Sequence, residues 1–280
     1  MKQVDYWFSL KNKKRIVIKI GSSSLIHKNT GAINYNKIEK LTRLICDLKN
    51  MGKEVILVSS GAVAIGRKEL KIKKKPLTLD EKQACAAIGQ GTLMTIYSKI
   101  FKEYNEKAAQ VLITKIGLQM DHCCENISNT IEALLKLDTI PIANENDTVS
   151  PEEIVFGDND TLSAIISVLA KAELLIILTD IDGLYTEDPH LNKNAKLIDT
   201  VVGRKPKLYK IATNTTSDVG TGGMYTKVKA SEIVNDAGID MVVTNSNNLN
   251  NIFRIVNGKR SGTLFVAKKR ENFKLEKYLK

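Results

Sequence analysis

The feature of this sequence that most restricts its fold is a series of short apolar segments that alternate with helical patterns. RIVIKI (15–20), EVILVS (54–59) and ELLIILTD (173–180) lack the polar–apolar alternation of strands that face water on one side. Strands of this kind are covered on both faces by the helices that connect them. The sequence therefore predicts an α/β fold, a three-layer α/β/α sandwich with a mainly parallel central sheet.

The segments between these strands support the same scheme. YNKIEKLTRLICDLKNMG (35–52) places its apolar residues on one helical face, and Gly52 is a stop signal. Thr78 and Glu81 have the spacing of a capping box, which predicts the start of a long helix. Further helices are predicted over 125–137, 159–172, 223–238 and 250–258, and further strands over 108–114, 139–145, 239–245 and 262–267.

The composition excludes several classes of protein. No run of about 18 apolar residues is present, so no membrane span is predicted. The four cysteines have no CxxC spacing, and the start of the chain has no secretory apolar region, which together indicate the cytoplasm. DHCCEN (121–126) sets His122 beside Cys123 and Cys124, but adjacent cysteines do not suit one tetrahedral zinc site. No metal site is predicted there.

The formal net charge of +11 raises the question of a nucleic-acid partner. The lysines are scattered, with local clusters that contain no interleaved aromatic residues, and aromatic residues make up only 5% of the chain. A stacking surface for single strands is therefore poorly supported, and solvated faces explain the charge.

Polar residues and glycines collect directly after the predicted strands. Lys19 and Gly21, Ser60 and Gly61, Asn144 and Asp147, and Thr179 and Asp180 all stand at such positions: these are the carboxyl ends of four strands. In open α/β sheets, ligands bind in the crevice beyond the carboxyl ends of the strands. We expect these residues to line a shared cleft.

Three glycine-containing segments have the chemistry of anion binding. VIKIGSSS places Lys19 inside an apolar strand, where the ammonium needs an anion or a route to water. VSSGAVAIG brings small residues to a helix start, which favours a negative group. GTGGMYTK (220–227) places Lys227 near a helix N-terminus, a position that is unfavourable for a cation unless an anion lies close by.

The segment VFGDNDTLSA (155–164) has two readings. Asp, Asn and Gly are the residues of turns and helix caps, so a plain helix start accounts for Asp158, Asn159 and Asp160. Read with the two lysines and the glycine loops, the same carboxylates fit phosphoryl transfer, which combines cations, carboxylates and backbone donors. The residues alone leave both readings open.

The order of the motifs is characteristic. KIGSS, SSGAVAIG, NENDTV, GDNDTLSA, LTDIDGLYTEDP and GTGGMYTK follow one another as they do in the amino acid kinases, which the chain resembles from about residue 14 to about residue 267. Each motif alone is weak evidence, whereas six in order are highly specific.

The resemblance implies a role for each matching residue. Lys19 and Lys227 would contact the transferring phosphoryl group, and Asp160 would hold both lysines in position. The substrate pocket would consist of five residues: Ser60, Asn144, Asp147, Asp158 and Asn159. ATP would be bound by Lys19 and by two further groups, namely Thr179 and Asp180, and Thr221, Gly222, Gly223, Met224, Tyr225, Thr226 and Lys227.

The resemblance also implies a reaction, the ATP-dependent phosphorylation of the side-chain carboxylate of L-glutamate, which begins proline biosynthesis. ATP and Mg²⁺ would be required, with the metal held mainly by the ATP phosphates. Members of this kind are commonly homo-oligomers inhibited by proline, and we expect both properties here. No membrane or nucleic-acid partner is expected.

The same resemblance predicts one kinase domain over residues 1–280, with a core of about 14–267, a substrate-binding N-terminal part and an ATP-binding C-terminal part. The C-terminal PUA-type domain of many members is not expected. Two alternatives stay open: another amino acid kinase, with acetylglutamate, aspartate or UMP as acceptor, and a nucleic-acid-binding protein on a degenerate kinase fold. The presence of Lys19, Asp160 and Lys227 together argues against the second.

Overall fold

The computed structural model describes residues 5–73, 76–120, 122–150, 158–187, 191–192, 194–203 and 223–279. Its strands are β1 (Arg15–Ile20), β2 (Glu54–Ser59), β3 (Lys107–Ile113), β4 (Thr139–Glu145), β5 (Leu174–Thr179), β6 (Thr200–Val202), β7 (Asp240–Asn245) and β8 (Thr263–Val266). Its α-helices are α1 (Tyr6–Ser9), α2 (Ser22–Leu25), α3 (Tyr35–Asn50), α4 (Ala62–Glu69), α5 (Leu79–Glu103), α6 (Lys115–Gln119), α7 (Cys123–Lys136), α8 (Asn159–Leu169), α9 (Met224–Ala237) and α10 (Asn250–Val256).

The chain divides into two compact units. Residues 20–159 form the first, which we call the 20–159 unit, and residues 160–278 together with the start of the chain up to residue 19 form the second, the 160–278 unit. The chain passes from one unit to the other between Lys19 and Ile20 and again between Asn159 and Asp160.

The 20–159 unit is built on parallel strands in the order β3-β4-β2. The apolar face predicted for residues 35–52 is the buried face of α3, and Gly52, with a φ of 79°, follows that helix. The predicted capping box is present at the start of α5: Thr78 Oγ1 accepts from the Glu81 amide at 3.3 Å, and the Glu81 carboxylate accepts from the Thr78 amide at 2.9 Å.

Helices α4 and α5 of this unit pack closely through two glycines. A Cβ atom on Gly66 of α4 would lie 1.8 Å from the carbonyl oxygen of Cys85, and a Cβ on Gly89 of α5 would lie 1.8 Å from that of Ala62. No side chain larger than hydrogen fits at either position. We call this contact the glycine seam, and it fixes α5 against the residues that begin α4.

The 160–278 unit contains strands in the order β1-β5-β7-β8-β6. β5 pairs with β7 and β6 with β8 in parallel, whereas β7 and β8 are antiparallel. Trp7 of α1 is buried, and its indole N–H donates to Thr200 Oγ1 at 3.1 Å. At the other end of the chain, the Tyr278 hydroxyl donates to Asp236 of α9 at 2.6 Å.

The prediction of an α/β fold with mainly parallel strands is confirmed. The structure adds β6 and the short helices α1, α2 and α6, for which the sequence analysis predicted no element. The helix predicted over 159–172 ends earlier, at Leu169, because the chain turns there and Lys171 adopts a φ of 52° that no α-helix contains.

Candidate active site

A buried charge cluster lies in the 160–278 unit. Asp160, whose side chain is fully buried, is 2.6 Å from the ammonium of Lys19 through Oδ1 and 3.1 Å from that of Lys227 through Oδ2. The two lysine side chains are themselves only 9% and 5% exposed. We call these three residues the charge triad, and it consists of two cations that share one anion.

The electrostatics of the triad keep Asp160 ionised. Burial by itself would raise the pKa of this carboxyl, but the charges of Lys19 and Lys227 and the hydrogen bonds from Lys19 and Thr226 outweigh it and lower the pKa to about 2. At neutral pH the triad therefore carries a net charge of about +1 in a site that is largely closed to water. Such a site attracts a further anion.

Local structure explains how these side chains are placed. Lys19 extends from β1, Asp160 lies in the first turn of α8, and Lys227 lies in the first turn of α9. The anion beside Lys227 is the carboxylate of Asp160. This residue comes 67 residues earlier in the chain. Thr226 Oγ1 also donates to Asp160 Oδ2, at 2.8 Å.

The predicted nucleotide-binding residues fall into two groups. Thr179 ends β5, and its hydroxyl donates to the exposed Asp180 carboxylate at 3.2 Å. Gly223 precedes α9, and its carbonyl accepts from Thr226 Oγ1 at 2.7 Å. In the first turn of that helix Met224 is buried and Tyr225 exposed. Thr221 and Gly222 lie outside the described residues.

In the 20–159 unit, four polar side chains form a hydrogen-bonded series. Asn159 Nδ2 donates to Ser60 Oγ at 2.6 Å and to Asn144 Oδ1 at 3.0 Å, and Asn144 Nδ2 donates to Gln90 Oε1 at 2.8 Å. We call this series the amide chain. It brings together three of the predicted substrate residues, while Asp158 precedes Asn159 directly and is half-buried.

Gln90 was not predicted from the sequence. It stands among small and apolar residues of α5, in AAIGQGTLM, and the helical pattern alone does not distinguish a buried glutamine from an exposed one. The one signal that could have indicated Gln90 is the position of a polar side chain on the apolar face of a long helix.

Ser60 owes its position to a strained turn. Its amide donates to the carbonyl of Ile20 at 3.1 Å, and Gly61, which follows, has a φ of 111° before α4 begins. A residue with a Cβ atom rarely adopts this conformation. The turn therefore requires the glycine of VSSGAVAIG, which follows Ser60 directly.

Asp147 follows β4 and is half-buried. Among the residues that the structure describes, no hydrogen bond or ion pair is found for its carboxylate. Burial raises the pKa of this carboxyl from 3.8 to about 6. A cation that binds beside this carboxylate would stabilise its ionised form.

We expect the substitution Asp147→Asn to stabilise the ligand-free protein at about pH 8, by about 1–3 kcal/mol. The folded pKa of Asp147 is raised above its unfolded value. The folded state therefore carries a penalty for the ionised carboxylate above about pH 6, which disappears as the pH falls below about 4. Urea unfolding at both pH values measures the difference.

The exposed Asp47 of α3 provides the control for this experiment. Asp47→Asn is expected to change the free energy of unfolding by less than about 0.5 kcal/mol at either pH. A gain from Asp147→Asn that is equal at both pH values would show that burial of the charge is not its cause.

Within the described part of the chain, no group of three or more His, Cys, Asp or Glu residues is arranged to hold a metal ion. His122 lies 3.7 Å from Glu125, while Cys123 and Cys124 are half-buried thiols that are not joined in a disulfide. None of the helices in the described residues is long and apolar enough to cross a membrane.

Comparison with known proteins gives a consistent result. A model of the amino acid kinase family matches residues 14–245. A protein of Clostridium perfringens named glutamate 5-kinase is 48% identical over 267 residues, which cover 94% of this chain and 99% of that protein. A glutamate 5-kinase of Carboxydothermus hydrogenoformans is 49% identical over 265 residues, which cover 95% of this chain and 71% of that protein.

Solved structures share the fold. A UMP kinase of Bacillus anthracis superposes with a TM-score of 0.62 at 16% identity, covering 91% of this chain and 96% of that one. A UMP kinase of Ureaplasma parvum gives a TM-score of 0.63 at 18% identity, covering 91% and 99%. At this level of identity the likeness concerns the fold, and the predicted fold class is confirmed.

Proposed function

The chain belongs to the amino acid kinase family, and we propose on this basis that it transfers the γ-phosphoryl group of ATP to the side-chain carboxylate of L-glutamate. The product is L-glutamyl 5-phosphate, which begins proline biosynthesis. The observation that carries the proposal is the charge triad, in which a buried carboxylate holds two ammonium groups at 2.6 and 3.1 Å. Two ammonium groups held in this way suit the stabilisation of charge on a transferring phosphoryl group.

The chemistry needs no proton to be removed from the nucleophile. The side-chain carboxylate of glutamate has a pKa near 4.3 and is ionised at neutral pH. It attacks the γ-phosphorus in line, a P–O bond forms, and the bond to the β-phosphate oxygen breaks with ADP as the leaving group. Catalysis then depends on alignment and on stabilisation of charge.

Lys19 and Lys227 supply that stabilisation. Their ammonium groups neutralise charge on the transferring phosphoryl oxygens as it spreads in the transition state. Asp160 is a positioning residue, because both of its oxygens are engaged by the lysines. The burial of all three side chains strengthens these interactions, since little water competes for them.

The 20–159 unit binds the amino acid. Asp147 accepts the substrate ammonium, which would relieve the penalty on its buried charge. Ser60 holds a carboxylate of the substrate and Asn159 also belongs to its pocket, while Asn144 and Asp158 support them. ATP is bound in the 160–278 unit by Thr179, Asp180 and the segment from Thr221 to Lys227, and Mg²⁺ enters on the ATP phosphates, where it supplies further positive charge.

Three further properties belong to the proposal. Proline acts as a feedback inhibitor, the protein is a homo-oligomer, and it works in the cytoplasm. The resemblance to the amino acid kinases is the basis of these assignments. The residues 1–280 act as one kinase domain whose N-terminal part binds substrate and whose C-terminal part binds ATP.

Hydroxamate formation tests the reaction. The protein is incubated with MgATP, hydroxylamine and one candidate acid at a time, because hydroxylamine traps an acyl phosphate before it cyclises. We expect signal with L-glutamate and little with L-aspartate or N-acetyl-L-glutamate. Signal with a different acid would refute the substrate assignment, and silence with every acid, together with turnover of UMP, would refute carboxylate phosphorylation.

A further inference from the structure

Gln90 lies at the buried end of the amide chain, with 7% of its surface exposed. It is one residue beyond Gly89, which packs directly against the Ala62 carbonyl of α4 in the glycine seam. The Gln90 side chain therefore leaves the helix from a fixed point. Its Oε1 atom accepts from Asn144 Nδ2, a bond that is itself buried.

The amide chain has a direction. An amide group has one end that donates and one that accepts, so a partner at one end decides what the other end offers. Because Gln90 presents an oxygen, Asn144 turns its nitrogen toward Gln90 and its Oδ1 toward Asn159. Asn159 must then present Nδ2, and this group donates to Asn144 and Ser60 together.

This direction determines the chemistry at Ser60. The Ser60 Oγ atom accepts from Asn159, so its hydroxyl proton stays available for a bond to a ligand. Asn159, with Nδ2 engaged twice, offers Oδ1 only as an acceptor. A hydroxyl donor matches a carboxylate oxygen, and it does not match the ammonium group of an amino acid.

We propose that Gln90 is a positioning residue for substrate binding, which acts through Asn144 and Asn159 to hold the Ser60 hydroxyl as a donor to a carboxylate of the substrate. The inference rests on the proposed function, because it takes the ligand of the amide chain to be L-glutamate. It assigns Gln90 an effect on glutamate affinity and none on ATP or on the chemical step.

The test is a double-mutant cycle of Gln90→Met and Ser60→Ala. Methionine nearly preserves the volume of glutamine and removes the acceptor, so Asn144 loses the partner that orients it. We expect Gln90→Met to raise both the Kd and the KM for L-glutamate about tenfold, as the loss of one buried hydrogen bond implies. The kcat and the KM for ATP should change less than about threefold.

The coupling between the two substitutions, measured on the Kd for L-glutamate, distinguishes this positioning role from a general packing role. If Gln90 acts through the Ser60 hydroxyl, Gln90→Met should raise the glutamate Kd less than about threefold in the Ser60→Ala background. An equal factor in both backgrounds, or an equal loss of ATP affinity, would overturn the proposal. Gln119→Met is the matched control, since Gln119 donates to the Leu279 carbonyl at 2.7 Å and lies outside the amide chain.

Calorimetric titration of the wild-type protein with L-glutamate distinguishes failure of the proposed function from failure of the role proposed for Gln90. If the wild-type protein does not bind L-glutamate, the proposed function fails and this inference fails with it. If it binds and Gln90→Met leaves the Kd unchanged, only the role of Gln90 is refuted.

Discussion

Replacement of Lys227 by methionine is expected to lower kcat about 10²–10³-fold, as the loss of a preorganised donor to a developing charge does in other enzymes. Methionine keeps most of the apolar stem, so the packing of α9 should be retained. The glutamate KM should change less than about threefold, because the residues proposed to bind glutamate belong to the 20–159 unit. Steady-state kinetics of the hydroxamate reaction measure both constants.

Lys229 gives the matched control for this substitution. It lies on the same helix, two residues further on, and is exposed. Lys229→Met should leave kcat within about twofold of the wild-type value. A Lys227→Met protein whose kcat is retained and whose glutamate KM is raised would contradict the role of Lys227 in the transition state.

The second large effect concerns stability. Gly89→Ala is expected to destabilise the protein by about 3–5 kcal/mol, more than overpacking usually costs, because its Cβ would meet the backbone of α4 rather than a movable side chain. The Cβ would lie 1.8 Å from the Ala62 oxygen and 2.6 Å from the Gly66 nitrogen. The two helices would have to separate, and urea unfolding measures the loss.

Gly91 offers an unusually close comparison, since it lies two residues away on the same helix. A Cβ atom on Gly91 would have nothing within 4 Å. Gly91→Ala should therefore stabilise the protein by about 0.5–1 kcal/mol, because alanine is the better helix former. Equal effects of the two substitutions would show that helix propensity, and not the glycine seam, governs these positions.

The elements that sequence analysis predicted correctly are those whose signal is local. β1, β2 and β5 are short apolar runs, and the start of α5 is marked by a capping box within four residues. β6 has only three residues and its partner, β8, lies some 60 residues further along the chain, so no local pattern marks it. The reversed direction of β8 is likewise a property of the sheet and not of the segment GTLFVA.

The site follows the same division. Lys19 and Lys227 were recognisable because each is a cation in an unfavourable place, within a buried strand or at a helix N-terminus. Asp160, whose carboxylate compensates the charges of both lysines, is distant from them in sequence. Its role was inferred from the family resemblance. Gln90 escaped notice because its partner Asn144 is 54 residues away, and a buried amide acquires meaning only from the group it contacts.

The two places where the chain passes between its units have a consequence for insertions and deletions. Lys19 is the last residue before the first passage, and Asp160 is the first residue after the second. One residue added between Asn159 and Asp160 would rotate Asp160 by about 100° about the axis of α8 relative to Asn159. We expect homologous chains to differ in length at exposed turns, such as that between α7 and β4, and to have no insertion or deletion at these two junctions.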